Sequence, residues 1–417
     1  MAAPANTALI TADPVVLGLL AVTLGLVFWT SSRPQGFWKR FYTYVPALLL
    51  CYFIPALFNS VGLIDGNASG LYPMARDYLL PAALVLLTIA IDFQAIVRLG
   101  PKAVVMFLVG TLGVMLGGVL SFLAMRLLLP ESVAGDVWRG MTTVAGSWIG
   151  GGANQAAMRE VFEVPGDLFG QFVAVDVLVA NVWMAVLLFL AARGPMFDRW
   201  TGADTSAIED LKRRIETYQA QHARIPSLAD LMLVLAVGLG AMGLSHALAA
   251  PLAGWIAALP AEWNLDDYSL TSSFFWLVVI ATTLGLALSF SRARLLEGAG
   301  ASRVGSAMIY VLVATIGMHM DLRALADRPE LFLLGLIWIT VHALLMLGVA
   351  KLIRAPLFFM AVGSQANVGG AASAPVVASA FHPALAPVGV LLAVLGYALG
   401  TYCAYLTGIA LQALATG

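Results

Sequence analysis

Asp176 stands in the middle of the apolar run Phe169–Ala192, with Asn181 on the same run. A charge at the centre of a hydrocarbon layer is costly unless it is paired or hydrated, so such a residue marks an ion or proton path by default. Its chemistry suits a sodium ligand or a proton carrier; the structural alternative is a pair with Arg159. Arg159 can in turn grip a carboxylate through two parallel hydrogen bonds, or neutralise Glu163 at the membrane surface. Two stretches carry the remaining polar chemistry. The first contains Gly146-Ser147-Trp-Ile-Gly-Gly151-Gly152-Ala-Asn154-Gln155, and the second Gly363-Ser364-Gln365-Ala-Asn367-Val-Gly369-Gly370-Ala-Ala-Ser373. A helix broken inside a membrane exposes N–H groups at one half-helix end, which attract carboxylates, and carbonyls at the other, which coordinate sodium. Glycine permits the sharp turn and the close approach of a ligand. The Asn and Gln side chains add neutral donors and acceptors, and the Ser side chains hydroxyls. Asn154 and Asn367 are candidates for both solute and ion contacts, joined at the ion by Asp176 and Asn181. Close helix packing alone would also use small residues, but it does not ask for Asn and Gln beside the glycines.

Other chemistries have no support. His319 and His342 fall inside helices, His382 follows the second stretch, and no His/Cys/Asp cluster has metal-ligand spacing. Cys51 and Cys403 lie in separate apolar runs. No phosphate loop, dinucleotide fingerprint, nucleophile elbow or His-Glu-x-x-His occurs, so neither a catalytic site nor a cofactor beyond a bound sodium is expected, and energy must come from an ion gradient.

The elements that position these residues follow from hydropathy. The chain has 417 residues, of which 61% are hydrophobic and 11% charged, with a mean hydropathy of +0.91. Soluble domains carry roughly 25% charged residues. An ordinary cytoplasmic enzyme or disordered scaffold is thereby excluded, and a net charge of −1 offers no field for nucleic acid. Apolar runs able to cross a bilayer are Pro14–Thr30, Tyr42–Phe58, Tyr78–Phe93, Ala103–Leu129 and Phe169–Ala192, then Leu228–Ala249, Ser272–Phe290, Gly305–Met320, Leu331–Leu352 and Ala384–Leu414. Thr142–Phe162 and Phe359–Phe381 are too polar and glycine-broken to face lipid. Between the halves, Ser206 to Glu209 reads as a capping box, and Ile208, Leu211, Ile215 and Tyr218 recur at helical spacing opposite Lys212, Arg213, Arg214 and Glu216. That pattern gives an amphipathic helix on the membrane surface or a solvated connector.

The halves repeat. Ile91-Asp92-Phe-Gln-Ala-Ile96 is matched by Met320-Asp321-Leu-Arg-Ala-Leu325, a proline follows each (Pro101, Pro329), and the next helix leads to a Gly-rich stretch in both halves. Asp92 and Asp321 read as caps or interface anchors. Basic residues gather at Arg33/Lys39/Arg40, Arg98/Lys102, the 193–224 connector, Arg292/Arg294/Arg303 and Lys351/Arg354, whereas 59–77, 130–136 and 251–268 are basic-poor. Basic loops face the cytoplasm. The alternation fits if each half has about five crossings plus one stretch that enters and leaves on the same side. The expected fold is therefore an all-α polytopic membrane protein of two inverted repeats. They cover residues 1–193 (broken segment 142–162) and 228–417 (broken segment 359–381), with a cytoplasmic connector 194–227 and an external N-terminus.

These paired stretches, the Asp-bearing helix ends and the basic connector resemble the YjcL-like family of integral membrane proteins, across nearly the whole chain. More loosely, the architecture is similar to the glutamate/sodium, 2-hydroxycarboxylate and bile-acid-type sodium symporters. That resemblance implies two inverted repeats that bring broken or re-entrant segments face to face at a substrate and sodium site. It also implies a secondary transporter in the cell (inner) membrane, moving a small polar, carboxylate-bearing solute with sodium or protons by alternating access. A homodimer held through the first and second runs of each half is expected. The alternatives are an ion or solute channel and an intramembrane enzyme; Ser147 has no local base for the latter.

Overall fold

The computed structural model describes residues 8–33, 35–45, 47–66, 68–92, 96–97, 99–203, 208, 226–260, 263–268, 270–319, 328–382 and 385–416. Among them the chain is all-helical apart from an isolated bridge between Ile10 and Ile64. The first half comprises α1 (Asp13–Ser31), α2 (Phe37–Tyr44), α3 (Ala47–Ser60), α4 (Leu71–Met74), a π-helical turn (Ala75–Leu79), α5 (Leu80–Ile89), α6 (Pro101–Leu128), α7 (Val137–Val161) and α8 (Gly166–Ala191). A short α9 (Gly194–Thr201) opens the connector. The second half comprises α10 (Leu228–Ala257), α11 (Ser273–Ser289), α12 (Ala301–Gly317), α13 (Glu330–Leu352), α14 (Leu357–Val368), α15 (Gly370–Phe381) and α16 (Ala386–Thr416). By length and composition, α1, α6, α8, α10, α13 and α16 can each cross a membrane. Their outward faces carry bare leucines such as Leu112, Leu116, Leu239 and Leu244. Such faces are stable against lipid and would be aggregation surfaces in water.

Local chemistry sets the ends. Pro101 opens α6, its missing N–H costing nothing in the first turn. Ser227 and Asp230 form a reciprocal capping box at the start of α10. Three boundaries differ most from the hydropathy reading, and one is the run 228–249, which continues as helix through Pro251 to Ala257. The run 42–58 is split, because α2 ends at Tyr44 and α3 begins at Ala47. The run 78–93 starts earlier, through the π turn, and its helix stops at Ile89. The amphipathic connector helix lies outside the described residues except at Ile208, and Asp321 lies outside them too. Asp92 is described, and it is held by Arg294 at 3.0 Å.

The helices gather into two bundles. Helices α1, α3, α5, α10, α11 and α12 pack with one another; α6, α7, α8, α13, α14, α15 and α16 form the second group, which contains both Gly-rich stretches. The groups meet where α7 and α16 lie against α5 and α11, and where α3 reaches α8. The first bundle thus includes the third run of each half as well as the first two.

Candidate functional site

Neither Gly-rich stretch is a straight helix. Helix α7 breaks at Gly151, whose φ of 73° and ψ of −171° lie outside the helical region and suit glycine. The chain then turns back on itself. The rings of Trp138 and Phe162 meet edge to face at 5.9 Å, and Arg139 donates to the Phe162 carbonyl at 3.2 Å. In a straight helix those rings would stand about 36 Å apart. A Cβ on Gly146 would come within 2.6 Å of the Asn154 carbonyl oxygen, so the arms touch backbone to backbone. The second stretch repeats the device. Helices α14 and α15 join at Gly369-Gly370, with Gly370 at φ 60°, and Phe358 meets Phe381 at 5.4 Å. Gln365 Nε2 donates to Ser373 Oγ at 2.8 Å across the joint. Both stretches are helical hairpins with their two ends together.

The bases of the two hairpins lie at opposite ends of α13, and their tips meet. Arg328, just before α13, donates to the Ser132 carbonyl beside the base of the first hairpin; Ala355, just past the far end of α13, leads into the base of the second. The length of α13 therefore separates the bases. A Cβ on Gly370 would lie 4.0 Å from the Gly151 Cα. Gly151, Gly152, Gly369 and Ser373 keep partial exposure within an otherwise buried surround. Each second arm, 152–161 and α15, starts at the tip, so two positive half-helix ends converge there. No side chain caps the N-terminus of α15. Among the described residues the buried Gln365 Oε1 has no hydrogen-bond partner.

Asn154 and Asn367 are placed differently from the expectation that they contact solute or ion. Both are fully buried and saturated by protein. Asn154 Nδ2 donates to the Gly150 and Tyr397 carbonyls at 3.0 and 2.9 Å, while Oδ1 accepts from Thr401 at 2.6 Å. Asn367 Nδ2 donates to Gly363 and Phe107 carbonyls, both at 2.9 Å, and Oδ1 accepts from Thr111 at 2.8 Å. Each carboxamide ties a hairpin to a supporting helix, α16 for the first and α6 for the second. What keeps partial exposure at the tips is the backbone of Gly151, Gly152 and Gly369, with Ser373 beside it.

Asp176 is the hub of the first hairpin. Its Oδ2 accepts from Ser147 Oγ at 2.7 Å and Gln155 Nε2 at 2.8 Å, and its Oδ1 from Trp148 Nε1 at 2.7 Å. Those donors come from both arms, so the carboxylate clamps them together. As arranged, hydrogens rather than lone pairs of Trp148 and Gln155 point at the carboxylate, and a cation arriving there must displace them. Tyr52, which the sequence did not single out, donates to Gln155 Oε1 at 3.2 Å from the other bundle; an aromatic in an apolar run gives no signal of that contact. Ser364 has no acidic partner; it accepts from Trp183 Nε1 at 2.8 Å and pairs with His342 Nε2 at 2.7 Å.

Two further residues depart from expectation. Asn181 turns back on its own helix, donating to the Val177 carbonyl at 2.6 Å, and does not join the Asp176 cluster. Arg159 pairs with neither Asp176 nor Glu163. Its Nη1 faces Glu160 at 3.5 Å, its guanidinium lies over Tyr72 and Phe169 at 4.7 and 5.2 Å, and Nε has no hydrogen-bond partner. Glu160 is also approached by Arg76 at 3.6 Å and by the Tyr72 hydroxyl. Glu163 sits exposed at the base turn, with φ 50°. A continued helix would bring Glu163, four residues on, to the face of Arg159, but the arm ends at Val161 and the left-handed turn carries Glu163 away.

Among the described residues no group of His, Cys, Asp or Glu could hold a metal ion. A cavity of about 310 Å³ beside the first hairpin's base is lined by Asp136, Asp167, Gln171 and Arg328. A second, of about 240 Å³, lies in the other bundle between Arg76, Asp77, His246 and Phe274.

Comparison with known proteins agrees with the architecture. A family model described as a protein of unknown function (DUF819) matches residues 18–414. The uncharacterized membrane protein YjcL of Bacillus subtilis (strain 168) is 27% identical over 356 residues, which cover 83% of this chain and 85% of that relative. With a match that spans nearly its whole length and an all-helical fold that exposes apolar faces, this chain is an integral membrane protein belonging to the DUF819 family.

Proposed function

We propose that the protein is a secondary active transporter of a small polar, carboxylate-bearing solute, coupled to a sodium or proton gradient by alternating access. The observation that carries this reading is the meeting of the two hairpin tips at Gly151 and Gly370. Irregular backbone at membrane depth is tolerated where it lines a cavity or a ligand site. The two half-helix N-termini at the tips favour an anion, and the buried oxygen of Gln365 favours a donor on the same solute. Ser373 stands partly exposed at the tips, while Ser147 and Gln155 brace the first hairpin through Asp176 and Ser364 braces the second against Trp183 and His342. The halves act as inverted repeats, and the hairpin-bearing bundle moves against the other, which holds the dimer contact. Sodium or a proton reaching Asp176 competes with its three donors and loosens the first hairpin, which supplies the coupling. The protein sits in the cell's inner membrane with the 194–227 connector in the cytoplasm, in keeping with its basic charge.

Reconstitution tests this directly. Liposomes holding the purified chain are given a sodium or pH gradient and screened against amino acids, hydroxy acids and short acidic peptides. Saturable uptake that follows one gradient is expected, with loss of gradient dependence in Asp176→Asn. Flux that is unsaturable and indifferent to both gradients would mean a channel.

A further inference from the structure

The hydrogen-bond chain through Gln155 crosses the boundary between the bundles. Tyr52 lies on α3, in the bundle without hairpins, and is fully buried. Its backbone is pressed against α12, where a Cβ on Gly317 would be 2.3 Å from the Tyr52 carbonyl oxygen. The side chain reaches across the boundary: its ring stands 6.1 Å from Phe169 on α8, and its hydroxyl donates to Gln155 Oε1. Gln155 Nε2 then donates to Asp176. Among the described residues the Tyr52 hydroxyl has no other acceptor.

We infer that Tyr52 is a positioning residue that latches the hairpin-bearing bundle to its neighbour and reads the state of Asp176 through the Gln155 amide. The inference rests on the ion-coupled reading above. An ionised carboxylate only accepts, so it fixes the Gln155 NH₂ toward itself and the amide oxygen toward Tyr52. A protonated acid donates, and its best partner is the amide oxygen. The amide then turns over and presents NH₂ to Tyr52, whose own O–H loses its acceptor. A buried hydroxyl without an acceptor is unfavourable, and withdrawal of α3 from the hairpin relieves it. Sodium has a related effect, because it displaces the Gln155 donor from the carboxylate. The charged and titratable groups around this chain are Arg159 on the same hairpin arm, Cys51 on α3 and Tyr310 on α12; Ser147 and Trp148 complete the shell of Asp176.

The test is hydrogen exchange by mass spectrometry on the full chain in lipid nanodiscs, following residues 47–54 and 152–158 with protons and sodium chloride as the probes. In the wild type, sodium or a lower pH, corrected for intrinsic exchange, should speed exchange in both segments. Asp176→Asn, which mimics the neutral acid, should do so without either ion, by about fivefold, the effect of one average hydrogen bond. Tyr52→Phe keeps the ring on Phe169 but removes the hydroxyl; it should exchange fast and ignore both ions. The double variant should exchange no faster than either single one. A Tyr52→Phe protein that still responds to ions as wild type does, or single effects that multiply in the double variant, would overturn the latch alone. Indifference of the wild type to both ions, with Asp176→Asn unchanged as well, would overturn the latch and the ion-coupled reading together.

Discussion

Asn154→Ala separates a residue that holds the fold from one that holds the solute. The carboxamide makes contacts with Gly150, Tyr397 and Thr401 at 3.0, 2.9 and 2.6 Å. A neutral hydrogen bond in a membrane protein contributes about 0.6–1 kcal/mol net. Removing the side chain also leaves the Gly150 carbonyl, the last of the first arm, without its side-chain donor in a dry site, which adds about 1–3 kcal/mol. Thr401 softens the loss, because it retains Thr282 at 3.1 Å. The expected destabilisation is about 3–5 kcal/mol, and Asn367→Ala, with its matching contacts to Gly363, Phe107 and Thr111, should fall in the same range. Asn154→Asp should be worse than Ala, since it turns an anion toward two carbonyls. Thermal unfolding of the purified variants in nanodiscs measures this, and solute KM in liposomes provides the contrast. Unchanged unfolding temperature with a sharply raised KM would refute the reasoning, because it would mean that Asn154 touches the solute rather than α16.

The other expectations are brief. Gly370→Ala forces a side chain into positive φ (60°) at about 1–2 kcal/mol, and Gly151→Ala into an essentially glycine-only region (φ 73°, ψ −171°) at about 1–3 kcal/mol; both proteins should fold and lose flux, and normal flux in either would remove the tips from the site. Cysteines at Asp136 and Glu163 should react with an impermeant maleimide from one side of the membrane, and those at Arg354 and His382 from the other; labelling of one hairpin's two ends from opposite sides would show that it crosses. Asp198, outside the spans, accepts from the Leu357 N–H at 2.7 Å, yet burial raises its pKa above the ordinary carboxylate value, with that bond opposing the shift. A raised folded pKa means that its contribution is most favourable below the unfolded value and is lost as pH rises through the folded one. Asp198→Asn keeps the acceptor and drops the charge, so it should gain stability over wild type at neutral pH, and the gap should close on acidification in pH-dependent melts.

The spans were legible because hydropathy alone places them: α6, α8, α13 and α16 fall within a few residues of the apolar runs. Reversal inside the hairpins was only half legible. The composition of 142–162 suits a break, and the charge alternation suits entry and exit on one side, but the contact that closes the hairpin, Trp138 on Phe162, looks like two unrelated aromatics in sequence. The Asn residues were visible as special, but not as ties between each hairpin and a supporting helix. Their common spacing, Gly150 to Asn154 and Gly363 to Asn367, is four residues, a back-bond within α14 in the second hairpin and across the break in the first. The deciding partners, Thr401 and Thr111, lie 247 and 256 residues away, and no local pattern reveals them. Tyr52 was invisible for the same reason.

Those ties matter for which charge the tips can hold. A broken helix offers two opposite polarities, and a site that left both open would have no preference between a carboxylate and a cation. Here each Asn spends both hydrogens of its amide on carbonyls, one of its hairpin's first arm and one of a supporting helix, so part of the negative polarity near the break is already answered by protein. Its oxygen, the natural acceptor for the exposed N–H groups of the second arm, is taken by a threonine instead. The N–H end of α15 is left without a side-chain cap. Both hairpins make the same choice with partners from different helices, α16 in one and α6 in the other. The polarity that survives at the junction is therefore donor-rich, which is why a carboxylate, rather than an organic cation, is the solute chemistry to try first.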